Sequence, residues 1–181
     1  LPSLIRQGLT SISGGILNNL AKPYGDACIA AMTIVNRYSS FVLCVGLGIG
    51  QGFQPVASFN YQTKEYTRVK KGLVFTAVFG TILIASIATV GFILAPEIVY
   101  LFQKSQEVVE IGTFALRAAS IGALFLPISV SANMLYQSIR KAAIASFLSL
   151  LRSGLALIPT LLILTNIYGL TGLQLAQPIS D

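Results

Sequence analysis

Long apolar segments separated by short polar stretches make up nearly the whole chain. A hydrocarbon core of about 30 Å needs about 20 helical residues, and five of the segments approach or exceed that length. The polar stretches contain Pro and Gly, which interrupt helices. The pattern predicts an all-α, polytopic transmembrane helix bundle. Its spans fall at about 4–21, 27–60, 72–94, 108–138 and 142–165, with the start of a sixth at 171–181.

Two of these segments, 27–60 and 108–138, are longer than a bilayer requires, so each must tilt, bend or protrude. Pro55 and Pro127 are the expected bends, because proline removes a helical hydrogen bond. Asp26 is placed to cap the second segment. Residues 63–71 read as a polar loop, and residues 98–102 as a short amphipathic piece at the membrane interface.

Composition supports a membrane protein. Hydrophobic residues make up 54% of the chain and charged residues 10%, and the mean hydropathy is +0.77. Soluble domains carry about 25% charged residues. The absence of His, of a nucleophile–base pair and of a metal-ligand cluster argues against an enzyme, so we expect no catalytic residues, no metal and no cofactor beyond a transported ion. The two cysteines read as small buried side chains.

The net charge of +6 reflects membrane topology rather than nucleic-acid binding, because the basic residues lie mostly between apolar runs. Alternating the loops between two sides of a membrane gives a marked asymmetry. One side holds Arg6, Lys64, Arg68, Lys70, Lys71, Arg140 and Lys141, and the other only Lys22 and Lys104. The positive-inside rule therefore predicts that loops 61–71 and 138–142 are cytoplasmic, in the plasma (inner) membrane of a bacterium.

A glycine run precedes Pro55. Gly46, Gly48, Gly50 and Gly52 form two overlapping Gly-x-x-x-Gly pairs, which permit close approach of a second helix. A flexible point in a moving helix is the alternative interpretation of the run, and Pro55 favours it. A phosphate-binding loop is rejected, because no strand precedes the run.

Several polar side chains lie inside the predicted spans, where they either make fixed structural contacts or line an aqueous cavity. The candidates for a substrate cavity are Asn18, Asn36, Arg37, Arg117, Asn133, Tyr136 and Gln137. Helical spacing puts Arg37 on the face of Asp26, and Arg117 on the face of Glu110. Asp181 and Asp26 are the candidate ion-coupling carboxylates. Asp181 would lie about 15 Å below the outer surface, where a carboxyl can carry a proton.

The sequence begins with Leu1 rather than Met and does not open with the pattern of a signal segment, and residues 171–181 read as a helix that begins and stops. We therefore expect the chain to be part of a longer membrane protein.

Four stretches resemble the C-terminal half of multidrug and toxic compound extrusion (MATE) transporters, and the MepA-like bacterial branch in particular. They are residues 1–13, residues 24–37, the Gly-Gln-Gly-Phe-Gln-Pro motif with its continuation at 50–61, and the basic Arg-Val-Lys-Lys at 68–71. The resemblance implies helices seven to eleven and the start of twelve of a twelve-helix fold, so that the N-terminal lobe is a partner absent from this chain.

The resemblance further implies efflux of cationic, amphipathic drugs by antiport of H⁺ or Na⁺, with two lobes rocking about a central cavity. Its partners would be the lipid bilayer and small organic cations, and not nucleic acid. Some family members carry coupling carboxylates that have no counterpart in 4–21, and 108–138 contains only Glu110. Two alternatives stay open: a flippase for lipid-linked precursors in the same superfamily, and a non-transporting membrane half-subunit.

Overall fold

The computed structural model describes residues 25–139 and 142–150, together with residues 8, 12, 14–16, 19, 23, 159–160, 163–165, 169 and 171–172. In these ranges the chain is helical and contains no strand, which confirms the predicted all-α class. The helices are α1 (Asp26–Gln62), α2 (Tyr66–Ile93), α3 (Ala95–Phe102), α4 (Gln106–Gly122), α5 (Leu126–Ser138) and α6 (Ala142–Leu150), with a 3₁₀ turn at Ala123–Phe125 between α4 and α5.

Three helical segments among the described residues are long and apolar enough to cross a membrane: Asp26–Gln62, Tyr66–Ile93 and Gln106–Ser138. The first has 37 residues and is about 55 Å long, so its ends extend beyond a hydrocarbon core of about 30 Å. The predicted spans at 4–21 and 171–181 lie largely outside the described residues, and the span at 142–165 is described only in part.

The start of α1 differs from the sequence prediction. Gly25, with φ 90°, is the N-cap residue, and Asp26 is the first helical residue and makes no side-chain capping bond. Glycine takes this position because a positive φ costs it nothing. The carboxylate of Asp26 still lies in the first turn, where the helix dipole favours negative charge.

The predicted polar loop at 63–71 is also wrong in extent. Only Thr63–Glu65 connect α1 to α2, and Lys64 adopts a left-handed conformation with φ 63°. Thr63 N–H bonds to Phe59 O at 3.1 Å and Glu65 N–H to Asn60 O at 2.8 Å, so the turn supplies its own hydrogen bonds. The basic residues after it are helical, because Lys and Arg are good helix formers and charge alone does not end a helix.

The two predicted bends are accommodated differently. Pro55 lies inside α1 with its ring exposed, and the helix continues past it. Pro127 lies in the first turn of α5, directly after the 3₁₀ turn at Ala123–Phe125 that separates α4 from α5. A proline at the start of a helix removes only an N–H that would lack a partner there, so the interruption precedes it.

Helix α1 is the centre of the bundle and packs against α2, α4 and α5. Its buried side chains contribute to three successive clusters along its length. Near Asp26, residues such as Met32 and Val35 pack against α3 and α4; at mid-length Val42 meets Ile84; near Gln62, Phe53 meets Val69. The first end of the bundle is hereafter the Asp26 end, and the second is the Gln62 end.

Candidate functional site

One exposed face of α1 is composed of small and polar residues. We call it the polar face of α1. It consists of Arg37, Ser40, Cys44, Gly48, Gln51 and Pro55, spaced three or four residues apart, with Asn36 and Gly52 exposed at its margins. This spacing keeps the residues on one side of the helix along much of its length.

The exposed surface of α2 beyond its basic first turns is bulky and apolar. It includes Val74, Phe75, Val78, Phe79, Ile82, Val90 and Ile93. The two exposed hydroxyl groups on this surface are satisfied within the helix: Ser86 donates to Ile82 O at 2.9 Å, and Thr89 to Ala85 O at 2.7 Å. A surface without free polar groups suits hydrocarbon, where each unsatisfied polar group costs several kcal/mol.

The polar side chains on the polar face of α1 are not hydrogen-bonded within their own helix. In the described part of the chain, the side chains of Asn36, Arg37, Ser40 and Gln51 form no hydrogen bond. Buried or lipid-facing polar groups need partners, so these side chains require water, a ligand or another part of the protein. The face therefore has the chemistry of a cavity lining rather than of a lipid contact.

The glycine run serves two opposite sides of α1. A Cβ at Gly50 would lie 2.8 Å from Met134 Cγ, and one at Gly46 3.3 Å from Ile84 Cδ1, so this pair permits tight packing against α5 and α2. A Cβ at Gly48 or Gly52 would meet nothing within 4 Å. Close packing therefore explains only one of the two Gly-x-x-x-Gly pairs, and the other keeps the polar face open.

An amide network joins three helices towards the Gln62 end. Gln54 Nε2 on α1 donates to Gln137 Oε1 at 3.3 Å and lies 3.0 Å from Met134 Sδ on α5. Gln137 Nε2 donates to Asn133 Oδ1 at 2.5 Å, and Asn133 Nδ2 donates to Ala145 O on α6 at 2.9 Å. These contacts give Asn133 and Gln137 a packing role, and Tyr136 is half-buried beside them.

Arg117 does not belong to the polar face of α1. It is exposed on α4, where its guanidinium lies 5.3 Å from the centre of the Phe92 ring and Nε donates to Phe92 O at 3.3 Å. Phe92 O is one of the last carbonyls of α2, so the arginine caps that helix and complements its dipole. Arg117 thus makes a fixed contact, one of the two alternatives that the sequence left open.

The acids and arginines that share a helix face do not pair with each other in the described residues. Neither Asp26 and Arg37 nor Glu110 and Arg117 form an ion pair there, although helical spacing places each pair on one face. Separations of seven and eleven residues correspond to about 10 and 16 Å along a helix, beyond side-chain contact. Asn18 and Asp181 lie outside the described residues. Within the described ranges, no three His, Cys, Asp or Glu residues come together as a metal site.

Sequence reasoning missed several residues of the site. Ser40, Cys44 and Gln51 are uncharged and were not singled out, although their spacing of three or four residues was a readable signal. No pattern in the sequence indicated the contact between Tyr38 Oη and Ser120 Oγ, which are 3.1 Å apart. It depends on Gly91 of α2, where a Cβ would collide with the Tyr38 hydroxyl. Both cysteines are free; Cys28 is buried as expected, but Cys44 is exposed.

Comparison with known proteins identifies the family. The family model MatE matches residues 2–162. The chain belongs to the MatE family. The resemblance inferred from its motifs is therefore confirmed.

Curated relatives in staphylococci carry the name multidrug export protein MepA. The relative from Staphylococcus haemolyticus is 25% identical over 172 residues, which cover 95% of this chain and 38% of the relative. A Staphylococcus aureus relative is 25% identical over 184 residues, covering 100% of this chain and 40% of its own length. This MatE chain thus spans about 40% of the length of the curated relatives it matches. These names describe transporters, in agreement with the prediction that the chain is not an enzyme.

Solved structures of MATE proteins share the fold. A MATE structure in the straight conformation matches with a TM-score of 0.92 at 19% identity, over 99% of this chain and 41% of that one. The Vibrio cholerae MATE transporter VcmN in the bent form matches with a TM-score of 0.90 at 23% identity, again over 99% and 41%. The described helices therefore share the fold of part of a MATE structure, and they belong to an integral membrane protein.

Proposed function

We propose that the protein of which this chain forms a part exports cationic, amphipathic drugs by antiport of H⁺ or Na⁺. Its membership of the MatE family and the names of its MepA relatives support a transporter. The observation that carries the proposal is the polar face of α1, which lies on a helix of membrane-spanning length and is unlike the apolar surface of α2. We place this face on the transport cavity.

The chemistry of the face suits weak, varied binding of organic molecules. Hydroxyl, thiol and amide groups offer dipoles, and the exposed rings of Phe41 and Phe59 border them. Amphipathic ligands match a site that combines a few polar groups with aromatic surface. Arg37 is the one charged side chain of the face, and it lies towards the Asp26 end, so a cationic ligand would bind nearer to Cys44 and Gln51.

The orientation and coupling are part of the same proposal. The basic residues after Thr63 support an orientation with the Gln62 end in the cytoplasm. The polar face of α1 contains no carboxylate. We therefore assign ion coupling to an acid outside the six residues of this face, with Asp181, Asp26 and the acids of the N-terminal lobe as the candidates. The lobes would rock about the cavity, and the polar face would be exposed to each side in turn.

Alkylation of Cys44 tests the position of the face. Thiols react as thiolates in water, so a cysteine in an aqueous cavity is modified by a membrane-impermeant maleimide, whereas one in lipid is not. The full-length transporter carrying Cys28→Ser leaves Cys44 as the reporter in this part of the protein. The control protein carries Cys28→Ser and Cys44→Ser together with Ile82→Cys. Ile82 is exposed on the apolar face of α2 and lies within about one turn of Ile84, which packs beside Gly46 of α1. Position 82 is therefore at about the same level of the bundle as Cys44.

We expect rapid modification of Cys44, slowed by ethidium, and little modification at position 82. Equal rates at the two positions would place the polar face in lipid and refute the cavity assignment. Transport itself is tested by ethidium accumulation in cells that express the full-length protein. A lower, pH- or Na⁺-gradient-dependent accumulation is expected, and unchanged accumulation with the protein confirmed in the membrane would refute drug efflux.

The arrangement of the arginines argues against the flippase alternative. A flippase of this kind is expected to have several arginines directed into one cavity. Arg37 is on the polar face of α1, whereas Arg117 caps α2 among apolar side chains. These two residues do not share a cavity in the described part of the chain.

A further inference from the structure

The exposed side of α4 carries a second feature that drug transport does not explain. We call Glu110, Phe114, Arg117 and Ile121 the α4 stripe. All four are exposed and follow one another at intervals of three or four residues. Phe114 and Ile121 are 47% and 55% exposed, so the stripe is apolar on both sides of the arginine. A guanidinium in such a setting requires a polar partner.

The protein supplies that partner only in part. Arg117 donates Nε to Phe92 O and lies over the Phe92 ring. A guanidinium has five N–H groups, so four remain available. In the part of the chain that the structure describes, no carboxylate forms an ion pair with Arg117, and Glu110 has no ion-pair partner either. The stripe thus presents one incompletely satisfied cation and one unpaired anion on a single surface.

Arg117 lies where the exposed apolar surface gives way to charged residues, as is expected at the edge of a hydrocarbon core. Towards the Gln62 end, this surface continues with the exposed apolar residues Ile121, Phe125 and Ile128. Towards the Asp26 end, it reaches Glu110 beyond Phe114. The exposed apolar run of α2 ends at Ile93, and α3 beyond it exposes both Glu97 and the apolar residues Tyr100, Leu101 and Phe102, as suits a membrane interface. Long cationic side chains at such a boundary reach towards the head groups.

We propose that Arg117 and Glu110 bind the head group of a zwitterionic phospholipid with a primary ammonium, such as phosphatidylethanolamine. The phosphate would accept hydrogen bonds from the free guanidinium N–H groups, and the ammonium would bind the Glu110 carboxylate. Acyl chains would lie along Ile121 and Phe125. In the orientation proposed above this is a lipid of the outer leaflet, but the site itself does not depend on drug transport.

The order of the charges decides between head groups. Phosphate lies nearer to the acyl chains than the ammonium does, and Arg117 lies nearer to the apolar surface than Glu110 does. The two Cα atoms are about 10 Å apart along the axis, and helical side chains lean towards the N-terminus, which brings the guanidinium closer to Glu110. An anionic phosphatidylglycerol head group satisfies the arginine alone and places no cation against the carboxylate, so it is expected to bind less well.

Lipid retention by the purified full-length transporter tests this site. The protein is exchanged into detergent with equal amounts of phosphatidylethanolamine and phosphatidylglycerol, and bound lipid is counted by native mass spectrometry. The variants are Arg117→Gln and Glu110→Gln, and the control is Arg37→Gln, which removes a cation outside the stripe.

Wild-type protein and Arg37→Gln should retain phosphatidylethanolamine preferentially. Arg117→Gln should weaken its binding about tenfold, the effect of losing one charge-assisted contact. Because Arg117 also caps α2, Glu110→Gln provides the independent test: it leaves the cap intact and should abolish the preference over phosphatidylglycerol. An unchanged preference in Glu110→Gln, or the same loss in Arg37→Gln, would overturn the proposal.

Discussion

Substitution of Gly50 by alanine should destabilise the bundle, whereas the same change at Gly48 should not. The two glycines are two residues apart on α1 and differ in what a Cβ would meet. At Gly50 it would lie 2.8 Å from Met134 Cγ and 3.0 Å from Val130 Cγ1; at Gly48 it would have no neighbour within 4 Å. Val130 is β-branched and has restricted rotamers, so the contact cannot be relieved by a small rotation.

The size of the difference follows from overpacking. Inserting a methyl group into a close-packed contact costs about 1–3 kcal/mol. The gain in helix propensity from Gly to Ala, about 1 kcal/mol, is common to both variants and cancels in their comparison. Gly50→Ala should therefore be about 1–3 kcal/mol less stable than Gly48→Ala.

Thermal unfolding of the purified full-length transporter, in one detergent and at one lipid content, measures this difference. A double-mutant cycle tests whether contact with Met134 causes the loss of stability. Met134→Ala removes the atom nearest to the new Cβ, so Gly50→Ala should cost less stability in that background than in the wild type. Equal melting temperatures for Gly48→Ala and Gly50→Ala would refute the assignment of the two glycines to opposite faces. Additivity in the cycle would refute the contact with Met134.

Further predictions concern two other contacts of α1. Gly91→Ala should destabilise the protein, because its Cβ would collide with the Tyr38 hydroxyl, and Tyr38→Phe should recover part of the loss in a thermal-unfolding cycle. Gln54→Leu should cost about 1–3 kcal/mol of stability, because it leaves the side-chain oxygen Oε1 of Gln137 without its donor. Gln51→Leu should leave stability unchanged and should reduce ethidium efflux. Equal melting temperatures for the two glutamine variants, or unimpaired efflux in Gln51→Leu, would contradict these assignments.

Some of the site was predictable from the sequence. Motifs such as the one at 50–55 identified the family, and Asn36, Arg37, Gly48 and Pro55, which the sequence singled out, all lie on or beside the polar face of α1. The sequence did not predict that these residues are exposed on one common face. It also did not single out Ser40 and Gln51 as members of that face, because neither is charged. Asn133 and Gln137 were found by type, but Gln54, the partner of Gln137, was not, because the two glutamines lie 83 residues apart in the chain.

The sequence by itself determined that this is a helical membrane protein and where its long helices lie, because the lengths of apolar runs and the scarcity of charge depend only on local composition. The tertiary structure decided which side of each helix is buried. In a soluble protein the apolar side marks the core, but in a membrane both the core and the lipid-facing surface are apolar. The alternating glycines of α1 are therefore equivalent in the sequence, and only the tertiary structure shows that Gly50 packs against Met134 whereas Gly48 is exposed.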